Sequence, residues 1–234
     1  MLRVKSRMLK DDNSVVKILY QVGPSTIRKD CLLDLIDTIL DPHAFNFLRT
    51  KEQLGYSVGT GASSYAKILN FQIFVSSQES KNSYDKVIEK LEIFMNGVAS
   101  KAIEELTDED FEKVKQAKIN LLDADDLDIR DEINRNWYEL RNFDLMFNRV
   151  EVISATMKTL TKNELQEFFE SFTQPENMRR LSTQVIGNKG GGEINEDFAF
   201  EFITKKLSED EHLITDIAEF QENLVLYPVV DTTI

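Results

Sequence analysis

Apolar positions along the chain change period several times, and each change marks an element. From Val15 to Val22 the pattern alternates, with Val16, Ile18, Tyr20 and Val22 on one face and Lys17 and Gln21 on the other, which predicts a half-buried strand. Gly23-Pro24 ends it, and Ser25 is a candidate cap for the next element. Leu32, Leu35, Ile36 and Ile39 then recur at helical spacing, with Asp30, Asp34 and Asp37 mostly off the stripe, so an amphipathic helix packed on a sheet is expected. From Gly55 the period returns to two, and Leu69, Phe71, Ile73 and Val75 share one face of a strand. The Gly- and Ser-rich residues Gly59 to Ser64 read as a turn between two strands.

Helical spacing resumes with Tyr84, Val87, Ile88, Leu91 and Met95. Thr107 with Asp110 forms a capping-box pattern ahead of Phe111, Val114, Lys118 and Leu121, and Thr161 with Glu164 repeats it ahead of Leu165, Phe168, Phe169 and Phe172. Between them, Asp128 to Asn148 predicts a further helix carrying Trp137. Leu181 to Ile186 reads as the last strand. Residues 187–192 (GNKGGG) then break the pattern. They lack the Gly-Lys-Ser/Thr of a phosphate loop, because Glu193 comes after the glycines, so a linker is expected. Beyond it come Phe198, Phe200 and Phe202 and two short helical pieces, around Ile203 to Leu207 and Asp210 to Leu224. This order predicts an α+β fold, a largely antiparallel sheet with helices mainly on one face. A core domain over residues 1–187 and a Gly-rich linker plus C-terminal segment over 188–234, packing back on it, are expected.

Composition narrows the function. With 41% apolar and 29% charged residues, the 234-residue chain can build a core and a soluble surface. No apolar run approaches the ~20 residues of a membrane helix, and residues 1–12 (MLRVKSRMLKDD) lack the apolar stretch of a secretory signal, so no membrane association and a cytoplasmic location, with an organelle as the alternative, are expected. The net charge of −13 repels phosphate backbones. The candidate basic spots are Lys113, Lys115 and Lys118, read as a solvated helix face, and Arg179 with Arg180; no nucleic-acid partner is expected.

Candidate chemistry is sparse. Zinc hydrolysis needs three protein ligands and an open position. The only histidines, His43 and His212, lie in no H-x-x-E-H or H-E-x-x-H spacing, so no metal site is expected in this chain. The single cysteine, Cys31, sits among apolar helical positions and reads as a buried thiol; His43 is the sole histidine near it. With 41 Asp and Glu, no carboxylate pair stands out.

One segment is specific: residues 45–56, FNFLRTKEQLGY. Alone, Arg49 reads as a surface or salt-bridged arginine and Tyr56 as a half-buried strand aromatic. A helix ending near Leu54, a break at Gly55 and a strand opening at Tyr56 also let Arg49 and Tyr56 converge at a sheet edge. There, guanidinium and hydroxyl donors can meet peptide carbonyls.

The string LRTKEQLGY, with Phe45 four residues before Arg49, resembles the signature in the last domain of insulysins and related pitrilysin-type zinc peptidases. The likeness runs from Val16 to Gly61 and through Leu106 to Leu121, Trp137, Phe147-Asn148-Arg149, Leu160-Thr161-Lys162 and the tail from Phe220 to Val230. The resemblance implies the C-terminal, fourth domain of an insulin-degrading-enzyme-like metalloprotease, in which two halves close around a peptide. It places zinc in the N-terminal half, the expected partner along with a peptide substrate. A homodimer is a second expected arrangement, since family members often dimerise through C-terminal halves. By the same resemblance, Arg49 binds a substrate carbonyl, Tyr56 assists at the scissile bond and its oxyanion, and Phe45 lines the adjoining pocket. This chain alone is expected to be inactive and a piece of a longer enzyme. An inactive scaffold or partner-binding subunit is the alternative. Where polyanion-regulated members carry basic residues, residues 121–137 here read LLDADDLDIRDEINRNW, so polyanion activation is not carried over.

Overall fold

The computed structural model describes residues 1–8, 10–142, 144–188 and 201–224. Five strands, β1 (Leu2–Lys5), β2 (Asn13–Pro24), β3 (Ser57–Tyr65), β4 (Ile68–Gln78) and β5 (Arg180–Ile186), form one sheet in the order β1-β5-β2-β4-β3. The helices are α1 (Ile27–Ala44), α2 (Tyr84–Ile93), α3 (Ser100–Glu104), α4 (Asp108–Leu122), α5 (Ile129–Asn142), α6 (Arg149–Lys158), α7 (Lys162–Thr173) and α8 (Ile217–Glu222). All strand pairs are antiparallel except β1 with β5. The fold is α+β, as the order of periods predicts.

Register explains the core. Val16, Ile18 and Tyr20 of β2 pair with Val75, Ile73 and Phe71 of β4, which places one apolar set on one face. These six side chains are buried together with Leu32, Leu35, Ile36 and Leu40 of α1 and Leu165, Phe169 and Phe172 of α7. Phe172 is the aromatic hub, 6.1 Å from Phe71, 5.8 Å from Phe168 and 5.6 Å from Phe169 between ring centroids. Both threonine caps form, Thr107 accepting from the Asp110 amide at 3.1 Å and Thr161 from the Glu164 amide at 3.3 Å, but without the reciprocal half of a capping box: the Asp110 carboxylate accepts from the Thr107 hydroxyl and Glu164 pairs with Arg28. Thr26, rather than Ser25, caps α1.

Several expectations change. Residues 59–64 are not a turn but the body of β3. The hairpin turn lies at Ala66 and Lys67, with φ of 48° and 61°. Small residues suit β3 because α1 closes over it: Asp41 accepts from the Thr60 amide at 3.0 Å and Asp37 from the Thr60 hydroxyl at 2.6 Å. The helix predicted to Asn148 ends at Asn142; Leu145 takes φ 52° and α6 begins at Arg149. Lys115 is not on a solvated face: it is buried, and its Nζ donates to the Leu160 carbonyl at 3.1 Å and to Glu112 at 2.6 Å. Lys118 reaches Asp34 at 2.8 Å.

Strand β1 is too short and too charged for a period to reveal it. Its Arg3 is buried and donates to Gln184 of β5 and to the Lys205 carbonyl, stacks 5.0 Å over the Tyr84 ring, and lies 3.4 Å from Glu211. Residues 201–203 run along β1: the Lys5 amide donates to the Glu201 carbonyl at 2.9 Å and the Ile203 amide to the Arg3 carbonyl at 3.0 Å. Those bonds hold residues 201–203 extended, so the helix expected over Ile203 to Leu207 does not form. The piece expected over Asp210 to Leu224 is helical only in α8. The glycines from Gly190 to Gly192, Phe198, Phe200 and the stretch from Leu226 to Val230 lie outside the described residues.

Candidate substrate-binding site

Helix α1 does not stop at Ala44. It runs into a wider π-helical segment, Phe45–Lys51, whose last bonds are the Glu52 amide to Phe47 at 3.0 Å and the Leu54 amide to Leu48 at 3.0 Å. The break falls at Gln53, with φ 51°, and not at Gly55. The strand opens at Ser57, one residue later than expected.

The link between helix and strand is held tightly. Leu54 is buried, and its carbonyl accepts from the Ser77 hydroxyl and from Asn82 Nδ2 at 3.1 Å. Asn82 also reaches the Gln53 carbonyl at 3.2 Å. Gly55 passes so close to β4 that a Cβ there would sit 1.9 Å from the Ser76 carbonyl oxygen, so only glycine fits without backbone movement. Glu52 is paired with Lys90 of α2 at 3.0 Å. A second π-helical segment, Phe94–Ala99, packs beneath the first through Phe47 and Phe94, 6.0 Å apart. Nothing in the local pattern announces Ser77, Asn82 or Lys90 as supports, because they come from other elements.

This geometry brings the three sequence-predicted residues together. The Arg49 guanidinium carbon lies 4.7 Å from the Phe45 ring centroid and 4.1 Å from that of Tyr56. Phe45 precedes Arg49 by four residues on the helical surface, and Tyr56 returns to it from the start of the edge strand. Tyr56 is 81% exposed, so it is not the half-buried strand aromatic that a local reading suggests, and Phe45 is 43% exposed. Among the described residues, no carboxylate pairs with Arg49. The two rings hold the cation by π contact, worth about 0.5–1 kcal/mol each at such exposure, and leave its N–H fork available to an incoming acceptor.

The other candidates lie apart from one another. Cys31 and His43 occupy one helix twelve residues apart, about 18 Å along its axis, too far for a nucleophile and its base. Burial pushes the Cys31 thiol up to about 11, with Asp30 and Asp34 adding to the shift, and its Sγ faces the Ile153 carbonyl. Among the described residues, no group of three or more His, Cys, Asp or Glu is placed to hold a metal ion. No helix among them is long and apolar enough to cross a membrane.

Residues 35–137, which include this site, match the family model of the C-terminal lobe domain 4 of PQQ synthase PqqF-like proteins. Nardilysin of Pongo abelii is 33% identical over 195 residues, which is 83% of this chain and 17% of nardilysin. Insulin-degrading enzyme of Homo sapiens is 27% identical over 227 residues, 94% of this chain and 22% of that enzyme. The chain therefore spans about a fifth of the length of these curated relatives. In fold it is similar to crystalline pitrilysin, with a TM-score of 0.70 at 18% identity over 95% of this chain and 22% of pitrilysin. It is also similar to a peptidase M16 inactive domain from Pseudomonas fluorescens, with a TM-score of 0.53 at 14% identity, covering 82% of this chain and 44% of that one. Signature, family model and relatives converge: the chain belongs to the pitrilysin family, as a counterpart of its C-terminal-lobe domains.

Proposed function

We propose that this chain is the zinc-free wall of a two-part peptidase chamber. It contributes substrate-binding donors to a hydrolytic centre whose zinc, attacking water and general base belong to an N-terminal half. The observation that carries the reading is the Phe45–Arg49–Tyr56 stack at the mouth of the edge strand, with a cation held by rings and unpaired by any described carboxylate. In such a chamber Arg49 donates to a main-chain carbonyl of the bound peptide. Tyr56 donates its hydroxyl near the scissile bond, where negative charge grows on the carbonyl oxygen. Phe45 offers apolar surface to a neighbouring side chain. The stacked arrangement suits this role because the cation is oriented before substrate arrives.

The test is cleavage of a quenched fluorescent peptide with zinc present, by this chain alone and mixed with an N-terminal, H-x-x-E-H-bearing half. Activity confined to the mixture, and falling ~10²–10³-fold with Arg49→Ala, supports the reading. Cleavage by the purified chain alone, or full activity of a mixture carrying Arg49→Ala, overturns it.

A further inference from the structure

Helix α5 is packed inside out. Its inward side is polar: Glu139 is buried, and its carboxylate accepts from the Arg149 guanidinium and from the Met146 amide at 3.0 Å. Arg149 also reaches Asp144 at 2.8 Å, and Asp144 meets Lys67 of the β3–β4 turn at 2.8 Å, so an ionic network rather than an apolar seam ties this helix down. The outward side is apolar. Ile129, Ile133, Trp137 and Leu140, spaced four, four and three residues apart, form one stripe, and all four are exposed, Trp137 at 61%. Leu127, at the mouth of the helix, is 96% exposed. A contiguous apolar ridge in water marks a contact surface.

Charge says what kind of partner fits. Between Leu121 and Asn142 the sequence holds seven carboxylates and three arginines; Glu139 is turned inward to Arg149 and Asp123 is paired with Lys158, which leaves five carboxylates against three arginines. Two of those arginines are already engaged, Arg130 with Asp128 at 2.8 Å and Arg135 with Asp126 at 2.5 Å. Asp125 and Glu132, next to the stripe in sequence, form no salt bridge among the described residues, although the Arg135 guanidinium lies close enough to Glu132 to feel its carboxylate. A second copy of the same ridge would set like charge against like charge across the contact.

We infer that the α5 ridge is a docking surface for a basic amphipathic helix of a separate partner protein. Apolar side chains of that helix would interleave with Ile129, Ile133, Trp137 and Leu140, and its Lys or Arg flanks would face Asp125 and Glu132. Such docking goes beyond the peptidase reading and does not depend on it.

Trp137 is the only tryptophan of the chain, so its fluorescence reads this surface directly. The 234-residue protein is titrated with a helical peptide of Leu and Lys in amphipathic register, and with its counterpart in which Glu replaces every Lys. The expected result is a saturable blue shift with the basic peptide, at least tenfold weaker for the acidic one. Binding weakens with added salt and loses at least tenfold in the Ile133→Asn, Leu140→Asn double variant. Both substitutions fall on exposed positions, and circular dichroism confirms that the variant stays folded. An unchanged emission up to about 1 mM peptide, the weak end of specific affinity, overturns the inference. So does equal binding of the acidic peptide, or a blue shift that tracks protein concentration without peptide, which would make a second copy the occupant.

Discussion

The Arg49 guanidinium carbon stands 4.1 Å from the centre of the Tyr56 ring, although the two residues belong to different elements and a left-handed residue, Gln53, separates them. The ring thereby has two separable tasks, orienting the cation and presenting a hydroxyl. Tyr56→Phe keeps the first and removes the second. In a reconstituted two-half peptidase it is expected to lower kcat ~10²-fold with KM little changed and zinc content unaltered. Tyr56→Ala removes both tasks and should also raise KM. Steady-state kinetics and metal analysis check both outcomes, and equal parameters for the two variants would show that the ring does not orient Arg49.

Gly55→Ala is expected to cost about 3 kcal/mol or more of stability, because a Cβ 1.9 Å from the Ser76 carbonyl must move backbone and not a flexible side chain. Urea unfolding monitored by circular dichroism measures the cost. A loss below about 1 kcal/mol would mean that the β3–β4 ladder yields locally.

Arg3→Met should destabilise by about 3 kcal/mol, since it leaves buried Gln184 and the Lys205 carbonyl without their donor. Hydrogen exchange should speed up first at Ile203 and Ile214, whose amides donate to the Arg3 and Met1 carbonyls. Uniform acceleration across the sheet would instead place Arg3 in the global core.

The Cys31 thiol, raised to about 11 by burial, ionises less in the folded than in the unfolded chain. Its contribution to stability is therefore complete below pH 9, the ordinary value, and is lost as pH rises toward 11. At pH 8 its alkylation in the folded protein should run about 10²-fold slower than in urea. Labelling at equal rates would contradict the burial.

Asp37 and Asp41 of α1 cover polar groups along β3, the sheet's edge strand. Removing both with Asp37→Ala and Asp41→Ala uncovers the Thr60 amide and should promote edge-to-edge association, seen as a concentration-dependent mass in light scattering. A double variant that stays monomeric at all concentrations would show that β3 is guarded by other means.

Much of this was legible in residue order. Alternation in β2 and β4, helical spacing in α1 and α7, and both threonine caps are local properties, decided by side chains within a few residues of one another. The signature at 45–56 was legible as well, since Arg49 and Tyr56 are close enough in sequence for one helix-to-strand link to join them. What misled was composition taken for conformation. Glycines and serines at 59–64 looked like a turn, yet β4 on one side and the α1 carboxylates on the other hold them as a strand.

The sequence by itself therefore determined the period of each main element, the α+β class and the segment that carries the candidate site, because these depend on spacing along one chain. Only the tertiary structure decided what distant residues do to one another. Arg3 turns a charged tetrapeptide into a strand by bonding across more than 180 residues to Gln184. Asn82 and Ser77 fix the link that aims Tyr56 at Arg49. Glu139 is satisfied by Arg149 on the inner side of α5, which leaves the helix's apolar side facing water. A hydrophobic stripe states that a face must be covered; which neighbour covers it depends on where the rest of the chain runs.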